Sequence, residues 1–179
     1  MWRVRNKERT YSKGVVVIGL LYPARVCKDK AIECILSSQK IVDLLGDDEF
    51  KIAPAPGLLY KKVFPFARIP ETTDIAAPYI CCETNITNIS SDTVCDVELM
   101  IFVTCHTSMM PGEFGTLVDM IADAIDDEIN HKHGFGIGKV TPSERYPVGY
   151  VLPNYNYITR KVVYLFKDFN FRHGAKDYG

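Results

Sequence analysis

Apolar residues recur at every second position from Val94 to Cys105. Cys95, Val97, Leu99, Ile101, Val103 and Cys105 fall on one face, and Asp96, Glu98, Met100, Phe102 and Thr104 on the other. That period of two predicts a strand with one face in a core. Its second face is polar at the start and apolar later, so it should pass from solvent, or a neighbouring subunit, into cover. From Glu113 to Asn130 the period changes. Phe114, Leu117, Val118, Ile121, Ala122, Ile125 and Ile129 follow one another at steps that form a single helical stripe. Pro111-Gly112 precedes this helix and Gly134 follows its expected end.

The remaining elements are shorter. Val15 to Tyr22 is apolar and rich in β-branched residues, which predicts a strand that Pro23 ends. Helical spacing of Ile32, Ile35, Leu36, Ile41, Val42 and Leu45 predicts a first helix from Asp29 to Leu45, with Gly46 as its C-terminal cap. Five prolines between positions 51 and 78 leave room only for loops and short edge strands, of which Leu58 to Phe66 is the best candidate. Tyr79 to Glu83 predicts another short strand, and the polar run Thr84 to Asp92 a loop. Gly134, Gly136 and Gly138 form a bend. The chain then predicts a strand around Gly149 to Leu152, a turn at Pro153-Asn154, and a strand from Tyr157 to Phe169. Strands joined mostly by short or Pro/Gly-rich links imply an α+β fold: a mostly antiparallel mixed sheet with two main helices packed on one face.

Composition fits that picture. The chain has 179 residues, of which 47% are hydrophobic and 24% charged, with a net charge of −1. These values suit one globular domain over residues 14–171, between a basic flexible arm at 1–13 and a small polar tail at 172–179. The near-neutral balance points to no sequence-specific nucleic-acid partner and no membrane partner. The arm's charges ahead of Val15 resemble a short export signal, but the apolar run is too brief and no suitable cleavage site follows, so export is not expected. Six cysteines are present, at 27, 34, 81, 82, 95 and 105. Their placement within predicted elements marks them as small apolar filler in a reducing compartment, so the chain is expected to be made in a cytoplasm.

Candidate chemistry is thin. The glycines of Gly134-Phe135-Gly136-Ile137-Gly138 follow a helix, whose negative end repels phosphate, so they read as a turn and no cofactor is implied. Cys105-His106 and the pair His131, His133 lack the spacing of a zinc site, and a Cys105–His131 dyad is the one nucleophile arrangement left open, as in a small cysteine hydrolase. No metal site and no enzyme activity are expected. The predicted acidic helix carries Asp119, Asp123, Asp126 and Asp127, the long strand carries Asp96 and Glu98, and the arm carries Arg3, Arg5, Lys7 and Arg9. Like charges along one helix repel unless basic groups approach from elsewhere. These residues therefore form the candidate subunit interface, with the arm of one copy meeting the acidic helix of the next.

The second half of the chain also has a recognisable layout. Pro78-Tyr79-Ile80 leads through the acidic-then-apolar strand Asp96 to Thr104 into the helix after Gly112. Phe135-Gly136-Ile137-Gly138 follows, then a strand ending Tyr164-Leu165-Phe166-Lys167-Asp168-Phe169-Asn170. Over roughly residues 75–170 this resembles the tail terminator and tail-completion proteins in the neck of long-tailed bacteriophages. The resemblance implies a virion protein with no active site. Such proteins form a ring, typically of six copies, that caps the tail tube, stops its polymerisation and docks to the head connector. Its implied partners are copies of itself, the tail-tube protein and a head-side connector protein. The basic segment and the proline-rich middle depart from the simplest members. Another connector or tail-tube subunit is the nearest alternative.

Overall fold

A computed structural model describes residues 22–68, 76–91, 94–109, 111–112, 115–143, 148–154 and 156–169. The expected arm and tail, and the expected strand up to residue 21, lie outside these. In order the elements are α1 (Tyr22–Ser37), α2 (Gln39–Leu45), β1 (Val63–Phe64), β2 (Tyr79–Ile89), β3 (Val94–His106), β4 (Pro111–Gly112), β5 (Gly115–Thr116), α3 (Leu117–Ile129), β6 (Ile137–Pro142), β7 (Val148–Asn154) and β8 (Tyr157–Phe169). The fold is α+β, as the pattern implies.

The main sheet runs β1-β2-β3-β8, with β6 and β7 following one another along the far edge of β8. Every pair is antiparallel except β1–β2, which makes the sheet mixed. The alternation in β3 is realised: Cys95, Val97, Leu99, Ile101, Val103 and Cys105 are all 1% exposed or less. Opposite them on β8 the register sets Phe166, Tyr164 and Val162, which are buried too. The three helices cover this inner face and share one core with it. From α3 come Val118, Ile121, Ala122, Ala124, Ile125 and Ile129. From α1 and α2 come Ile35, Ile41 and Leu45, none above 1% exposed.

Several boundaries differ from the sequence pattern. Pro23 does not end a strand; it lies in the first turn of α1, where a missing N–H leaves no hydrogen bond unmade. The expected helix from Asp29 to Leu45 is two helices, parted at Ser38, whose backbone is extended and whose hydroxyl bonds to Glu128. Gly46 caps α2 in the left-handed conformation, as expected. The α3 helix starts at Leu117, not Glu113, because Thr116 turns its side chain onto the Asp119 N–H and the preceding residues form the β4–β5 hairpin. The polar run after Glu83 is not a loop: β2 continues to Ile89, with a bulge near Asn88, because β3 offers a ladder along its whole length. Tertiary pairing here overrides local turn preference. In the proline-rich middle the strand shrinks to Val63–Phe64, behind a short 3₁₀ turn at Pro56–Leu58.

The glycine bend after α3 is tight. Gly134 and Gly138 have φ near +90°, and a Cβ at Gly136 would sit 2.4 Å from the Lys167 carbonyl oxygen. The Gly134 carbonyl accepts from Lys30 Nζ at 2.5 Å, so the bend binds a cation of its own chain, in keeping with the negative end of a helix.

Candidate assembly surface

The acidic residues of α3 do not wait for a distant partner; α2 and β8 supply one. Arg160 on β8 donates from Nε to Asp119 at 2.7 Å and from its terminal nitrogen as well. Partial burial would raise the Asp119 pKa, but hydrogen bonds from Thr116 and Arg160 outweigh it and hold the carboxyl below its ordinary value. Asp126 accepts from the Tyr164 hydroxyl at 2.8 Å and from Asn130 at 3.1 Å. Burial, with Asp126 beside it, pushes the Tyr164 phenol well up, so it stays a donor. Asp127 pairs with Lys40 of α2 at 2.7 Å, in the open. Asp123 is exposed and has no ion-pair partner among the described residues. Asp119, Asp123 and Asp126 line a hollow of about 450 Å³ with Arg160 and Pro142.

Asp96 and Glu98 point the other way, onto the sheet face that the helices leave uncovered. Asn88 and Ser90 each donate to Asp96 at 3.0 Å, and Lys167 lies 3.7 Å away. The Asn88 hydrogen bond is the main reason its carboxyl is held low. Glu98 is half-buried between Asn85 and Leu165 in the register. The structure thus brings the α3 aspartates together and places Asp96 and Glu98 on the opposite face. Arg3, Arg5, Lys7 and Arg9 lie outside the described residues.

Pattern reading missed a third surface. Between α1 and the proline-rich segment runs an open groove of about 490 Å³, lined by Ile32, Leu36, Pro56, Leu59, Tyr60 and Pro65, with Asp29 and Glu33 at its rim. The walls are fixed by hydrogen bonds. Ala55 N–H donates to the Leu36 carbonyl at 2.9 Å, and Gln39 of α2 bonds both Ala53 N–H and the Lys51 carbonyl. Tyr60 has φ +63° in a turn closed by its N–H to Val63, and its side chain stands 64% exposed. A bulky residue in that conformation is uncommon and concentrates at functional surfaces. The only sequence signals were the prolines and one aromatic among them.

Five of the six thiols are buried, and Cys34 is partly so. Cys105 is fully buried, and burial pushes its pKa up to about 12, so at neutral pH it is protonated and shielded. Its neighbour His106 lies on the opposite face, bonded to Ser108 at 2.7 Å and edge-on to Tyr157. His131 is exposed beyond the end of α3, with its N–H held by Val140 at 3.0 Å. Among the described residues no group of three or more His, Cys, Asp or Glu side chains is arranged to hold a metal.

The YomW family profile matches residues 38–166, from α2 to near the end of β8. No curated protein and no solved structure matches the chain significantly.

Proposed function

The chain belongs to the YomW family, which is phage- and prophage-associated, and from that premise we propose that it is a structural protein of the phage head–tail neck. In this reading it forms a ring, typically of six copies, that caps the tail tube, stops its polymerisation and docks to the head connector. The observation that carries the proposal is the family match across most of the chain. The layout of strands and helix in residues 75–170 supports the finer assignment to a tail terminator.

Surface chemistry supports assembly. A closed ring uses head-to-tail contacts, so each copy presents two different patches that fit one another. The sheet face that the helices leave uncovered presents Asp96 and Glu98, and the helix layer presents Asp123 and the open α1 groove, so the two faces offer different contacts to a neighbour. The cysteine-hydrolase alternative has less support, because Cys105 faces the core.

Light scattering with electron microscopy of the purified protein tests the proposal. Discrete rings are expected, at a mass several times the 20.2 kDa protomer. Open-ended tubes would instead favour a tube subunit. A protomer at every concentration would refute the ring.

A further inference from the structure

We propose that the basic segment 1–13 of one copy docks in the α1 groove of its neighbour, an inference that rests on the ring reading above. The groove offers both an apolar floor and charge. Ile32 and Leu36 form the floor, Pro56 and Pro65 flank it, and the exposed Tyr60 stands at its lip. On the rim, Asp29 and Glu33 are exposed and have no ion-pair partner among the described residues. Lys28, beside Pro65, is already neutralised by Glu83 at 2.7 Å, so the rim keeps its negative character. On α3, by contrast, Asp119 and Asp127 are taken by Arg160 and Lys40. That leaves Asp123 as the exposed α3 carboxylate without an ion-pair partner among the described residues, against the adjacent pair on α1, so the α1 rim draws a cationic partner more strongly.

Segment 1–13 has matching chemistry. It carries Arg3, Arg5, Lys7, Arg9 and Lys13 against one acid, Glu8, together with Trp2, Val4 and Tyr11. Bound in extended form, it sets Arg3, Arg5, Lys7 and Arg9 along one side and Trp2 and Val4 along the other. Residues two apart in a strand are separated by about 6.8 Å. Asp29 and Glu33 are one helical turn apart, about 6 Å along the axis. Two successive basic side chains thus meet two successive carboxylates, while Trp2 faces the proline and tyrosine surface. Arginine also stacks on an exposed tyrosine ring, which gives Tyr60 a second use.

Trp2 is the single tryptophan of the chain, so the full-length protein carries its own probe. Acrylamide quenching of Trp2 is measured alongside light scattering over a range of concentrations. In the ring, Trp2 emission is expected to shift to the blue and resist quenching, and both changes should reverse on dilution to the protomer. Replacing Asp29→Asn with Glu33→Gln should restore free quenching and weaken assembly about two- to thirtyfold, the range two partly exposed charge pairs supply. Asp48→Asn, at a fully exposed carboxylate that does not line the groove, should change neither. A ring whose Trp2 is quenched as freely as in the protomer overturns this docking but leaves the ring intact. So does Trp2 released by Asp123→Asn with Asp127→Asn while the α1 pair is silent, or protection that persists in the isolated protomer. A mass that never exceeds one protomer overturns the ring reading itself.

Discussion

The two faces of β3 are built from alternate residues of one strand, yet they do different work. The inner face is uniformly apolar and sealed under three helices, and its six residues, Cys95, Val97, Leu99, Ile101, Val103 and Cys105, are each 1% exposed or less. The outer face is graded. At one end Asp96, Asn88 and Lys167 make a polar cluster; at the other, Phe64, Tyr79, Cys81 and Tyr157 pack into a small apolar patch of their own. Cations border that patch, with the Arg68 guanidinium 4.8 Å from the Phe64 ring centre and Lys161 Nζ 5.9 Å from that of Phe102. Uniform burial holds the fold together, and the graded face keeps partly exposed side chains such as Asp96 and Glu98 at its polar end.

Truncation within the strand gives the largest expected contrast. Ile101→Ala empties a fully buried site and should cost about 2–5 kcal/mol. The adjacent Met100→Ala, on the half-buried outer face, should cost about 1 kcal/mol or less. Urea denaturation of both variants decides it. Equal losses would mean that the outer face is as much a core as the inner one.

A subtler probe lies at the apolar end of the outer face. Thr104 and Thr159 are both 3% exposed, and their hydroxyls share a hydrogen bond of 2.8 Å. Thr104→Val leaves the Thr159 hydroxyl buried without its partner and should cost about 1–3 kcal/mol. Adding Thr159→Val should recover most of that loss, since two apolar groups of the same shape then meet. A double variant no more stable than the single one would show that the hydroxyls have other partners and that this end of the sheet is wetter than described.

On the inner layer a single cap supports α3. Thr116→Ala removes the acceptor of the Asp119 N–H and a 2.6 Å hydrogen bond to the Asp119 carboxylate. The expected loss is about 1 kcal/mol, read as a lower thermal midpoint. Thr116→Ser, which keeps the oxygen, should lose little.

Legibility followed the same division. β3, β8 and the α3 stripe were readable because each keeps one period over many residues and buries one side under the same cover. The second half of β2 was not, since Thr84, Asn85, Thr87 and Asn88 are turn formers held in a strand only by pairing with β3. The break at Ser38 hid for a similar reason: Glu128, which bonds its hydroxyl, is remote in the chain. The α3 aspartates were visible as a charge pattern, but their partners Lys40 and Arg160 come from other elements. The α1 groove needs two segments that only folding brings together, so one-dimensional pattern could show its prolines and Tyr60 but not its shape.

The smallest predicted effect concerns an ion pair that ties the helix layer to the outer face around the edge of β2. Lys28 of α1 reaches past that edge to Glu83 at 2.7 Å and also donates to the Pro65 carbonyl at 2.9 Å, while Ala67 N–H donates to the same carboxylate at 2.8 Å. Burial alone would raise the Glu83 pKa, but the Lys28 and Ala67 hydrogen bonds outweigh it and hold the carboxyl below its ordinary value. The folded state thus favours the ionised form. Its stabilisation is complete above the unfolded glutamate value of about 4.3 and fades as pH falls through the lower folded value. Glu83→Gln should therefore lose about 1 kcal/mol or less at neutral pH, since both side chains keep some contact with water. Its urea midpoint should fall less steeply than that of the wild type between neutral pH and the acid limb. Curves of equal steepness would mean that the pair does not couple the two faces, and that the helix layer is held to the sheet by its apolar core and the α3–β8 contacts of Arg160 and Tyr164 instead.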